Sequence, residues 1–340
     1  MAHINKKDSN KSPTLNDVAR IAGLSPITIS RVINNPHMVK AATIAKVKEA
    51  IAITGYIPNM LAGGLASKKS KLIATAVPQI NNTMFVDTMQ ALSGRLSERG
   101  YHMLLCMTGY SLQSEEEFIS AILSRRPDGI VLTGINHSPM LKKILLQANI
   151  PILEMWDLTP TPLDMLVGFS HKKIGNEIAN YLLSKGYKNY ALLWADDERA
   201  QLRKKGIFDV LQNNGIDTQN IPIYQTVTPA TNSAGREGLS ELITHNRNID
   251  VVICSSDILA QGVTAEALNR GLKMPHDLAE IGFGDFSFSK YNYPPISTVF
   301  IDKVALGRIS ADMLIDSIEG KAIDNKIVDI SFQLKERETT

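Results

Sequence analysis

In SPITISRVIN, residues 25 to 34, three hydroxyls and a guanidinium fall within seven positions. An arginine can form two parallel hydrogen bonds to the edge of guanine, and serine and threonine hydroxyls suit phosphate oxygens. Ser25, Thr28, Ser30 and Arg31 are therefore candidates for contact with nucleic acid, with Pro26 and Ile27 among them. Other chemistry is sparse. Asp196, Asp197 and Glu198 could serve as catalytic carboxylates, but Arg199 beside them favours a solvated loop. No G-x-G-x-x-G follows a strand, and there is no G-x-x-x-x-G-K-[ST], H-E-x-x-H or close Cys/His cluster. No cofactor or metal is expected, and catalysis is disfavoured. Cys106 and Cys254, set in MLLCM and VVICSS, read as buried free thiols.

Those polar residues need a frame. Thr14 can cap a first helix with Asp17 in its first turn, and Leu15, Val18, Ala19 and Ala22 share one face. Gly23 stops it. Ser25 caps a second helix with Pro26 at its first position and Ile29, Val32 and Ile33 inward. A third spans about 41 to 54, with Ile44, Val47 and Ile51 inward and Gly55 as terminator. This is the pattern of a helix-turn-helix unit whose second helix enters the major groove, although any small three-helix bundle shows such faces.

Charge separates the readings. Residues 1 to 71 carry nine lysines and two arginines against three acids, a net +8, while the rest of the chain carries −6. A basic head on an acidic body is an electrostatic footprint for nucleic acid. The opening MAHINKKDSNKS lacks the apolar segment of a secretory signal, and no run nears the roughly 18 apolar residues of a membrane span. A cytoplasmic protein with no membrane partner is expected.

From Lys71 onward ten apolar runs recur, from KLIATAVP through YHMLLCM, GIVLTG, IPILEMW, MLVGFS, NYALLWA, IPIYQTV, DVVICSS and AEIGFGDF to STVFI. Helical patterns such as SEEEFISAILSRR and KKIGNEIANYLLSKGY separate most of them. Continuous apolar strands with helical crossovers predict parallel sheets covered on both faces, and about ten strands predict two α/β subdomains. Ligands in such folds bind beyond the C-terminal strand ends, and a cleft between subdomains is a natural site.

TLNDVARIAGLSPITISRVIN followed by GYIPN resembles the N-terminal signature of the LacI/GalR family of bacterial repressors. The resemblance implies an α/β protein with an all-α helix-turn-helix head at 14–58, a hinge at 59–70 and a periplasmic-binding-protein-like, two-lobed α/β core at 71–340. It implies base contacts from Pro26, Ile27 and Arg31 and phosphate contacts from Ser25, Thr28, Ser30 and Asn34. Neither Pro26 nor Ile27 can hydrogen-bond a base through its side chain, so reading there must be apolar, as against thymine methyls. In the implied hinge, which becomes helical on DNA, Asn59 is the cap, Leu65 the wedge between base steps and Lys68 a phosphate contact. Gly63 and Gly64 depart from helix formers and together cost about 2 kcal/mol of helicity.

The body is most similar to the family's gluconate and idonate repressors, through DGIVLTGINHSPM, IPILEMWDLTPTPLDMLVGF and GFGDF. That resemblance implies lobe crossings near Phe169, residues 297 to 301 and 329. Arg203 matches the family's ligand-binding arginine. The family's sugar-binding Asp is here Gly284, and its N-D pair is Ser256-Asp257. Losing a carboxylate from the cleft and keeping a guanidinium favours an anionic effector, a sugar acid such as gluconate. Phe169 and Trp156 are placed against its carbon chain, and Ser256, His137 and Glu154 at its hydroxyls, although both aromatics also suit a core and His137 a surface loop. The expected protein is an effector-controlled repressor, a homodimer on a pseudo-palindromic operator. A sugar-binding receptor, a sugar-acid enzyme with an accessory DNA-binding head, and a constitutive DNA binder with a vestigial sensor are the alternatives.

Overall fold

The computed structural model describes residues 12–57, 70–80, 83–246 and 248–340. The chain divides into two compact units, residues 1–70 and 71–340.

In the first unit, α1 (Leu15–Ala22), α2 (Pro26–Asn34) and α3 (Ala41–Thr54) surround a small core. Val18 and Ala19 meet Ile29 and Val32 from α2 and Val47 and Ala50 from α3. The Asp17 carboxylate accepts from the Thr14 N–H at 2.9 Å and its hydroxyl at 2.7 Å, tying down the start of α1. Gly23, at φ 63°, ends that helix by donating its N–H to the Ala19 carbonyl. The turn is tight because glycine adopts this conformation without a Cβ clash.

The second unit holds two parallel sheets. β1 (Leu72–Val77), β2 (His102–Met107), β3 (Gly129–Thr133), β4 (Ile152–Met155) and β5 (Met165–Gly168) alternate with α4 (Thr83–Glu98), α5 (Leu112–Leu123) and α6 (Pro139–Ala148), except that β4 runs to β5 directly. They form the first lobe. The second lobe contains α7 (His171–Ser184), β6 (Tyr190–Ala195), α8 (Glu198–Asn213), β7 (Ile223–Thr226), α9 (Asn232–His245), β8 (Val251–Cys254), α10 (Asp257–Asn269) and β9 (Ala279–Ile281). Its sheet order is β7-β6-β8-β9. β10 (Thr298–Phe300) then leads to α11 (Lys303–Ile318), which packs on α4 of the first lobe. β11 (Ile327–Asp329) completes the first sheet in the order β11-β5-β4-β3-β1-β2, and β12 (Gln333–Lys335) pairs antiparallel with β10. Three strands of chain therefore cross between lobes, after Gly168, between β10 and α11, and after β11.

All ten apolar runs become strands, and both sheets are parallel, as continuous apolar strands require. β11 and β12, three residues each and incompletely buried, carry too little pattern to announce themselves.

The helix that carries Arg203 is seated by glycine. A Cβ on Gly175 of α7 would lie 2.0 Å from the Arg203 carbonyl oxygen and 3.0 Å from the Ile207 nitrogen, so α7 and α8 touch backbone to backbone. Gly175→Ala is expected to cost about 2–3 kcal/mol by overpacking and to displace α8. Urea denaturation with a ligand titration checks both effects.

Candidate functional site

In the first unit α2 presents one face outward. Ile27 is 72% exposed, and Arg31 and Asn34 are exposed beside it. The Ser25 hydroxyl accepts from the Thr28 N–H at 3.3 Å, and the Ser25 and Thr28 hydroxyls lie 2.9 Å apart. Asn34 donates to the Ser30 carbonyl at 2.9 Å and the Ser30 hydroxyl at 3.2 Å. Pro26, Ile27 and Arg31 thus stand on a helix fixed from behind by Ile29 and Val32. Asn59, Leu65 and Lys68 lie outside the described residues.

In the second unit the C-terminal strand ends of the two sheets face a cleft with two adjoining compartments. The smaller, about 60 Å³, is lined by Arg203, Arg199, Ser256, Trp156, Phe283 and Phe286 among others. The larger, about 350 Å³, shares Tyr110, Asp197 and Arg199 with it.

Arg203 is the centre of the small compartment. It is 4% exposed, lies 4.0 Å over the Phe283 ring, and donates to the Ser255 carbonyl at 3.0 Å. Its other terminal nitrogen is 2.9 Å from His171 Nδ1. A guanidinium can only donate, so Nδ1 accepts and the proton sits on Nε2, 3.0 Å from the Trp156 carbonyl. His171 is therefore neutral. Its burial and the charges of Arg203 and Arg199 push its pKa far down, consistent with that tautomer. Burial pushes Arg203 down to about 10, which leaves it charged at neutral pH. Among the described residues no carboxylate forms an ion pair with it. Arg199 differs, since its Nε donates to Asp157 at 2.8 Å.

Four buried polar atoms of residues that line this compartment have no hydrogen-bond partner among the described residues: Arg203 Nε, Ser256 Oγ, Trp156 Nε1 and Thr228 Oγ1. Trp156 also holds φ at 77°, a left-handed conformation that costs a non-glycine residue about 1–2 kcal/mol and clusters at functional sites. Asp257 buttresses the opposite wall. Its carboxylate accepts from the Phe286 N–H at 2.9 Å, Ser289 Oγ at 2.6 Å and Thr298 Oγ1 at 2.5 Å, fixing the loop that bears Phe283 and Phe286.

Of the expected effector residues, Arg203, Trp156 and Ser256 line the cleft, and four do not. Phe169 is fully buried behind Trp156 and His171, with ring centroids at 5.7 and 4.9 Å. Gly284 points its missing side chain into the Phe286 ring, where a Cβ would approach to 2.6 Å, and its φ of 121° also favours glycine. Its carbonyl accepts from Lys303 Nζ at 2.8 Å. Glu154 accepts from the Leu163 N–H at 2.6 Å and lies 3.3 Å from His137. His137 is no surface residue, because it is 4% exposed between Glu154 and Glu115. These two are spent on each other and on holding α5 against β4.

That pairing sets a pH dependence. Burial opposes a charge on His137, but Glu115 and Glu154 outweigh it and raise the pKa from 6.5 to about 9. A folded-state pKa above the unfolded one gives stabilisation that is complete below about pH 6.5 and lost as pH rises through 9. The shift corresponds to about 3 kcal/mol. Urea midpoints are expected to fall between pH 6.5 and 9.5 in the native chain and far less in His137→Asn.

The acidic run is solvated at Asp196 and Glu198, as expected, but its other members have fixed roles. Asp197 caps α8 by accepting from the Ala200 N–H at 2.9 Å, and Glu198 accepts from Asn136 at 3.0 Å. Arg199 turns inward to Asp157 instead of screening its neighbours in solvent. The usable signal was Arg199 and Arg203 four apart, on one face of a helix just beyond a strand.

Comparison with known proteins follows the same division. Residues 14–59 match the model of bacterial regulatory proteins of the lacI family, and residues 179–340 match a periplasmic binding protein-like domain. The chain is 34% identical to the HTH-type transcriptional regulator GntR of Pseudomonas aeruginosa, over 99% of both chains. A LacI-family transcriptional regulator from Silicibacter pomeroyi superposes with a TM-score of 0.90 at 28% identity, covering 96% of this chain and 99% of the other. The lac repressor dimer bound to operator and an anti-inducer superposes at 0.82 with 26% identity, over 97% and 99% of the two chains. A head that exposes a recognition helix, joined in one chain to a two-lobed binding core and matched over nearly its full length, places this protein in the LacI family of DNA-binding transcriptional regulators.

Proposed function

We propose that this regulator is a cytoplasmic homodimeric repressor that holds a pseudo-palindromic operator and releases it when a small sugar acid, such as gluconate, enters the cleft. One observation carries the choice of ligand: Arg203 is buried and charged with no carboxylate partner among the described residues. An unneutralised buried charge is costly, and an entering carboxylate offsets that cost with charge-assisted hydrogen bonds. The unpartnered Ser256 hydroxyl and Trp156 indole N–H supply further polar contacts, while Phe283 and Phe286 suit a carbon chain. Release follows if the ligand binds one lobe arrangement better than the other.

Calorimetry with gluconate, run beside a band-shift titration on the operator, tests both parts. Binding accompanied by weakened operator affinity supports the reading. Binding with unchanged operator affinity rules out release, and tightened affinity makes the ligand a corepressor.

A further inference from the structure

The two compartments of the cleft have opposite electrostatic character. At one end stands Arg203, with no carboxylate partner among the described residues. At the other, the large compartment is lined by Asp196, Asp197, Glu198, Asp157 and Glu115, with Arg199 the one cation among its described residues. Two of these carboxylates are neutralised, Asp157 by Arg199 and Glu115 by His137. Asp196, Asp197 and Glu198 have no ion-pair partner among the described residues; Gln201 donates to the first at 3.3 Å and Asn136 to the last at 3.0 Å. The cleft thus runs from the buried charge of Arg203, past a partition made by Tyr110, Asp197 and Arg199, to Asp196 and Glu198, which have no ion-pair partner among the described residues.

Size forces a ligand across that partition. A space of about 60 Å³ takes a carboxylate and its nearest carbons, but not a six-carbon chain. Four groups without a partner among the described residues, Arg203 Nε, Ser256 Oγ, Trp156 Nε1 and Thr228 Oγ1, belong to residues that line the small compartment, so the acceptor-rich end of the ligand belongs there. Its far end then enters the large compartment, where free carboxylates accept hydrogen bonds from hydroxyls and repel a second anion.

We infer that the cleft selects a monocarboxylate with an uncharged polyol tail, and that Asp196 and Glu198 are the specificity residues that reject sugar acids carrying a second anionic group at the far end. This deepens the sugar-acid reading and rests on it. Placing the anion at Arg203 follows from its missing partner; rejecting a distal phosphate or carboxylate follows from the tail compartment alone. Asp197 shares the role, but it also caps α8 and is unsuited to mutation. Both chosen side chains are exposed at the mouth, so the selection weakens with salt.

Calorimetry on the full chain separates the outcomes, using gluconate, glucarate, 6-phosphogluconate and glucose as probes. Gluconate should bind about tenfold or more tightly than either dianion at low ionic strength, and the gap should narrow at high salt. In the Asp196→Asn/Glu198→Gln variant, the preference for gluconate over the dianions should shrink about fivefold or more, whatever both ligand classes lose at their hydroxyls. Dianions binding the native chain as tightly as gluconate overturns the inference and leaves the sugar-acid reading standing. So does a native preference that the double variant fails to relax, provided its melting temperature is native-like. Absence of gluconate and dianion binding alike, or a preference for glucose, overturns the sugar-acid reading itself.

Discussion

Replacing Arg203 with Met is expected to weaken sugar-acid binding by about 100-fold or more, with operator affinity little changed in the absence of ligand. Two charge-assisted hydrogen bonds to a carboxylate, at about 1.5–3 kcal/mol each, set that scale. Stability of the free protein should move far less, because two effects oppose. Removing an unneutralised buried charge is favourable, while the Ser255 carbonyl and His171 Nδ1 each lose a donor. The melting temperature of Arg203→Met without ligand, beside its calorimetric titration, checks both halves. Arg203→Lys restores the charge but not the planar fork, so it should recover only part of the affinity. Near-native affinity in Arg203→Met would remove Arg203 from the site.

A second substitution should give the reverse separation. Arg31→Ala is expected to weaken operator binding by about 2–4 kcal/mol, some 30- to 1000-fold, because each half-site loses a base contact worth about 1–3 kcal/mol. Arg31 is exposed and lies outside the core made by Val18, Ile29 and Val47, so the head should stay folded. Ligand affinity should be unchanged. If the loss were uniform across sequences and accompanied by a smaller salt dependence, Arg31 would be a phosphate contact instead of a base reader. A fluorescence-anisotropy series over operator variants and salt concentrations distinguishes the two.

The recognition unit and both sheets were legible for one reason: their periodicity is uninterrupted. Val18, Ile29 and Val47 fall at helical spacing in short capped segments, and every strand from β1 to β10 is an apolar run of its own. The cleft was legible only where position in the chain fixes position in space. Trp156 follows β4 and Ser256 follows β8, so both stand at strand ends. Side-chain direction was not legible. Glu154 lies on β4 itself and turns to Leu163 and His137, which nothing in IPILEMW reveals. Phe169 lies one residue beyond β5 yet packs inward, since its ring fills the space behind Trp156. Arg199 was misjudged because a charge beside three acids looks solvated, whereas Asp157, 42 positions away in sequence, draws it inside.

The strand order carries a consequence for synthesis. β11 occupies the edge of the first sheet beside β5, with Val328 opposite Val167, although β5 leaves the ribosome far earlier. At about 5–20 residues per second, β5 waits roughly ten to thirty seconds for its neighbour. During that interval Met165, Leu166 and Val167 form an open apolar edge, and α11 is not yet there to cover it. The second lobe, contiguous from α7 to β9, can close first. A nascent chain stalled before residue 327 should therefore protect the second lobe from protease while the first remains cleavable, and synthesis of α11 and β11 governs when the earlier-made lobe is sealed.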